Sequence, residues 1–120
     1  MSTNDKARKQ QAEALKAKGN ASFQGKAYQK AVEYYTEALN LVPDGEVYLS
    51  NRSAAQLAAG FLEKAEEDAQ KCLEVAPSWP KAYIRLGDAL RNQERYQEAL
   101  DTYREGKGLL LVMNQFMESS

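Results

Sequence analysis

Histidine is absent from this 120-residue chain, and cysteine occurs once, at Cys72. The commonest general base and the commonest zinc ligand are therefore both missing, which excludes Cys-His and Ser-His mechanisms and a Cys/His metal site. A single thiol closes no internal disulfide and favours a reducing compartment. Neither charge sign is in excess: 16 Lys and Arg stand against 17 Asp and Glu, a net charge of −1. No overall basic field points to nucleic acid, and any anion site must come from a local arrangement of charges. Long apolar runs are also lacking. The longest, L-L-L-V-M at 109–113, falls far short of the roughly 18–20 residues of a membrane span, and M-S-T-N-D-K-A-R-K-Q has no apolar stretch of the secretory kind. A soluble, cytoplasmic protein is expected.

What the chain does have is one domain's worth of residues with 43% apolar and 28% charged content. Apolar residues three and four apart alternate with short breaks at 25–26, 42–45, 59–60, 76–80, 92–95 and 106–108. The pattern predicts helices near 5–24, 28–41, 46–59, 62–75, 79–92 and 96–106, with a shorter seventh near 109–118. Asn4 or Asp5 is expected to cap the first helix and Ser78 the fifth, with Pro80 tolerated in the first turn. Pro43 and Pro77 should follow the second and fourth helices. The carboxylates scatter along polar helix faces, as in E-K-A-E-E-D at 63–68, and read as solvated surface. With no histidine and no convergent acid pair, the chain is read as non-enzymatic, without cofactor or metal.

The chain also repeats itself. Y-Q-K-A-V-E-Y-Y at 28–35 aligns with Y-Q-E-A-L-D-T-Y at 96–103, and L-E-K-A-E-E-D-A at 62–69 lies midway, so the period is 34 residues. Ala31, Ala65 and Ala99 align at this period, as do Gly19, Ser53 and Gly87, and Pro43 with Pro77. A 34-residue helix–turn–helix unit with this Gly…Tyr…Ala…Tyr…Pro pattern resembles the tetratricopeptide repeat. The resemblance implies an all-α fold: a single domain, 1–120, of three repeats at about 12–45, 46–79 and 80–113 in a right-handed superhelical array. The glycines and alanines would sit where helices approach closely, and Tyr28, Tyr35, Tyr96 and Tyr103 would fill the gaps. Departures concentrate at the end, where Gly106 and Leu111 replace the family's alanine and proline. The third unit is therefore expected to stop at G-K-G, with a capping helix over about 109–118.

One placement runs against helix physics. W-P-K-A-Y-I-R at 79–85 sets Lys81 and Arg85 one turn apart beside a helix start, where like charges cost about 0.2–0.5 kcal/mol and the macrodipole is positive. In a stacked array the first helix of each pair lines a concave groove suited to an extended peptide. The inward positions would carry Lys16 and Asn20 in the first repeat, Asn51 in the second, and Lys81 and Arg85 in the third. Three cations and two carboxamides suit a doubly negative chain end, with Arg85 able to fork a carboxylate. L-K-A-K-G-N, Y-L-S-N-R-S-A-A and W-P-K-A-Y-I-R further resemble the segments of dicarboxylate-clamp co-chaperone domains. That resemblance implies binding of the Glu-Glu-Val-Asp tails of the seventy- and ninety-kilodalton heat-shock chaperones.

Phe23, one turn past Asn20, either packs inside or touches the tail upstream of its end. Asp88, near Arg85, is a carboxylate able to compete with the ligand. Cys72, Trp79 and the tyrosines read as packing residues. The competing functional readings are a repeat scaffold for a different peptide or helix, and the targeting domain of a larger co-chaperone enzyme.

Overall fold

A computed structural model describes residues 3–119 of the chain. Among these residues six helices follow one another: α1 (Thr3–Gln24), α2 (Tyr28–Leu41), α3 (Glu46–Ala58), α4 (Leu62–Val75), α5 (Pro80–Asn92) and α6 (Tyr96–Ser119). Among the described residues no strand occurs, and no helix is long and apolar enough to cross a membrane. Short connections fold consecutive helices back on each other, giving three antiparallel pairs. Hydrogen bonds tie α1 to α3 and α3 to α5, so the first helices of the pairs stand side by side in one layer and α2, α4 and α6 form the other.

The period is visible in the turns. Lys26, Gly60 and Glu94 lie 34 residues apart and all take left-handed φ, at 63°, 91° and 64°. The following amide reaches back in each case: Ala27 to the Ser22 carbonyl (2.8 Å), Phe61 to Gln56 (2.9 Å) and Arg95 to Leu90 (3.0 Å), the Schellman closure of a helix end. Only the middle repeat places glycine there. Packing repeats too, because a Cβ on Gly19 would stand 2.5 Å from the Tyr35 ring, and Gly87 abuts Tyr103 in the same way. Small residue and ring are one packing unit in the outer repeats. The middle repeat has Ser53 and Ala69 instead, and Ser53 Oγ donates to the Ala65 carbonyl at 2.8 Å.

Several expectations need correction. The predicted seventh helix is the continuation of α6, which runs unbroken from Tyr96 to Ser119. Gly106 does not end the helix; it lets α5 approach, since a Cβ there would meet Tyr83 Cβ at 2.8 Å. Leu110, Leu111 and Val112 stand about half exposed on this extension, and the side chains of Met113 and of residues 116–119 lie outside the described residues. Asn4 and Asp5 lie within the helical turn that starts α1, and any cap before Thr3 falls outside the described residues. Ser78 caps nothing: Trp79 is the N-cap of α5 and makes no side-chain cap bond, with Pro80 opening the helix. Tyr96 is 61% exposed rather than gap-filling. Its counterpart Tyr28 packs edge-on against Phe23 at 5.3 Å, whereas the residue equivalent to Phe23 in the third repeat is Arg91, which has no ring to offer. Finally, Asp68 is no solvated charge: it is buried and forked by Arg52 at 2.7 and 2.8 Å, tying α4 to α3.

Candidate functional site

The site is built where α1, α3 and α5 present their inner faces. Asn20, Asn51 and Arg85, one from each helix, line a single cavity of about 230 Å³ together with Phe23, Gln24, Tyr35 and Ala54. Each is fixed from behind. The buried Tyr35 hydroxyl donates to Asn20 Oδ1 at 2.5 Å, and Asn51 Nδ2 donates to the same oxygen at 3.3 Å. With its carbonyl oxygen occupied by two protein donors, the Asn20 amide has its NH₂ group left to offer a ligand. Arg85 donates Nε to Oγ of the fully buried Ser50 at 2.9 Å. Both Nη groups remain without a protein hydrogen bond among the described residues, and two parallel N–H groups are what a carboxylate fork requires.

The two lysines are placed differently. Lys16 does not line the cavity; it pairs with Glu13 at 2.9 Å. The other Glu13 oxygen accepts the Tyr48 hydroxyl at 2.5 Å, and these two bonds, Tyr48 first, hold the Glu13 carboxyl below its ordinary 4.5. Lys81 is exposed, with its ammonium 6.0 Å from the centre of the Trp79 ring. The structure thus brings three of the candidate polar residues together around one space and leaves two cations with partners outside it.

Phe23 packs against the buried Ala31, Tyr35 and Ala55 and also lines the cavity. Asp88 does not hold Arg85. Its Oδ1 accepts the Tyr103 hydroxyl at 2.5 Å and lies 3.7 Å from Arg91. Cys72 is fully buried, and burial before any other cause pushes its thiol up to about 11.

Sequence reasoning missed Tyr35 and Ser50 as the groups that orient Asn20 and Arg85. One signal was available for the first. Asn20 and Asp88 are 68 residues apart, as are Tyr35 and Tyr103, so the two hydroxyl-to-position-20 contacts are one contact repeated. For Ser50 no spacing pointed to Arg85.

Two family models describing the tetratricopeptide repeat match residues 12–44 and 52–109. The chain belongs to the tetratricopeptide repeat family. Small glutamine-rich tetratricopeptide repeat-containing protein 2 of Mycosarcoma maydis is 44% identical, over 91% of this chain and 34% of that protein. The heat-shock protein cognate (HSC) co-chaperone sgt12 of Aspergillus fumigatus is 43% identical, over 80% of this chain and 28% of that protein. The chain spans about a third of these curated relatives. Among solved structures, the first TPR of Spaghetti (RPAP3) bound to the HSP90 peptide SRMEEVD superposes with a TM-score of 0.81. It is 31% identical, and the match covers 84% of this chain and 80% of that one.

Proposed function

We propose that this tetratricopeptide repeat domain is the peptide-binding module of a co-chaperone, and that its groove holds the acidic C-terminal tails of the seventy- and ninety-kilodalton heat-shock chaperones. The observation that carries the reading is the convergence of Asn20, Asn51 and Arg85 on one cavity, with the Arg85 fork open. A terminal aspartate brings two carboxylates, enough for the fork and both amides. Lys16 and Lys81 complete the set in this reading. Lys81 needs only to swing from the Trp79 ring, and Lys16 to exchange an exposed Glu13 contact of the kind worth about 0–1 kcal/mol for the ligand. Support comes from the co-chaperone description of the Aspergillus relative and from the acidic peptide bound to the Spaghetti domain. The role is recruitment, without catalysis, in the cytoplasm.

A charge-assisted hydrogen bond contributes about 1.5–3 kcal/mol and a micromolar complex totals about 8 kcal/mol, so losing one cation is severe. Calorimetric titration with SRMEEVD should show Arg85→Ala and Lys81→Ala weakening binding about tenfold or more, with helicity unchanged. Affinity unchanged from the parent in both variants would remove the site. Tight binding of a tail with an amidated end would instead favour a general scaffold.

A further inference from the structure

The groove does not end at Arg85. Ala54 and Arg85 also line a second cavity, of about 340 Å³, whose other walls include Leu57, Asp88, Arg91 and Asn92. Its charge is unbalanced: two guanidiniums against one carboxylate leave a formal +1 (2 − 1). That carboxylate already has partners in the Tyr103 hydroxyl at 2.5 Å and Arg91 at 3.7 Å. The Arg91 side chain is 59% exposed, and Asp88 is its one ion-pair partner among the described residues. Position 91 is also where the repeats part company. Its equivalents are Phe23 and Leu57, so the first two repeats present an apolar group to the groove and the third an extended cation.

Arg85 and Arg91 are six residues apart on α5, as are Asn51 and Leu57 on α3. Six residues of helix rise about 9 Å, and an extended chain advances about 3.3 Å per residue. For a strand running along α5, the Arg91 end of the second cavity would therefore stand about three residues from Arg85. We infer that it seats the carboxylate of an acidic side chain about three residues upstream of the bound chain end, with Arg91 as its partner and Asp88 positioning Arg91. This rests on the terminal-carboxylate reading above and adds a second acidic requirement to it.

The test is a thermodynamic cycle on the full chain, using SRMEEVD, the same peptide with the glutamate three residues before its end changed to glutamine, and SRMEEVD with an amidated terminus. For the unaltered chain the glutamine peptide should bind about three- to fivefold more weakly, the size of a partly exposed pair. With Arg91→Gln the two free-ended peptides should bind alike, while amidation should still cost about tenfold or more in both proteins. If Arg91→Gln leaves the difference between the two peptides intact while amidation still weakens binding, the second subsite is wrong and the terminal site stands. If amidation changes nothing, both fall.

Discussion

Replacing Asn20 by aspartate exchanges one amide nitrogen for an oxygen and leaves the side chain's shape unchanged. The protein already contains the product: Asp88, one double period later, accepts Tyr103 at the same 2.5 Å at which Asn20 accepts Tyr35, beside a glycine that abuts the ring in both cases. Asn20→Asp should therefore fold normally, with a melting temperature within about 3 °C of the parent, since less than about 1 kcal/mol is at stake. Binding is another matter. The NH₂ group left for the ligand is lost, a charge-assisted bond of about 1.5–3 kcal/mol. In its place stands a like charge, whose repulsion at about 4 Å with an effective dielectric constant of 20 is about 4 kcal/mol before salt screening. Even halved by screening, the two effects exceed about 3 kcal/mol, or about a hundredfold in Kd. Calorimetric titration of SRMEEVD at low salt, beside a thermal melt by circular dichroism, measures both halves. Affinity within threefold of the parent, with the fold intact, would refute the assignment of the Asn20 amide to the ligand.

Two further outcomes follow from the turns and from the partly buried Tyr103 hydroxyl. Lys26 and Glu94 hold left-handed φ where the middle repeat uses Gly60, so Lys26→Gly and Glu94→Gly should each stabilise by up to about 1 kcal/mol and Gly60→Ala should destabilise by a similar amount. Urea midpoints that fail to move in opposite directions would dismiss the strain argument. The Tyr103 hydroxyl is raised from 10.0 to about 12, by burial first and then by its bond to Asp88. Because the folded value lies above the unfolded one, its contribution is fully present below about pH 10 and is lost as pH rises toward 12. Stability should fall over that window in urea titrations and fall less in Tyr103→Phe; equal slopes would contradict the linkage.

Much of the architecture was legible because local and long-range signals agree. Apolar spacing, the prolines after α2 and α4, and the 34-residue period all mark the same helix pairs. The end of α6 was misread for a physical reason. A glycine serves both as a helix stop and as a point of close approach, and only the neighbour Tyr83 decides which role Gly106 has. Asp68 was misread because its partner Arg52 lies on another helix, 16 residues away. At the groove, the residue types at 20, 51 and 85 were legible through the repeat register. What orients them was not: Tyr35 reaches Asn20 across a hairpin and Ser50 reaches Arg85 across a repeat boundary. The lysines show the limit of register alone. Position placed Lys16 and Lys81 with the others, but a long flexible side chain settles on whatever partner is near, here Glu13 and the Trp79 ring.

The central claim is that one chain end is gripped at once from α1, α3 and α5. Nuclear magnetic resonance of the side-chain amides of Asn20 and Asn51 and of the Arg85 Nε–H, followed while SRMEEVD is added, tests it most directly. The three signals should shift together, with one affinity, and saturate at one equivalent of peptide. Saturation that leaves these signals still, with the changes gathered on α2, α4 or the end of α6, would contradict it.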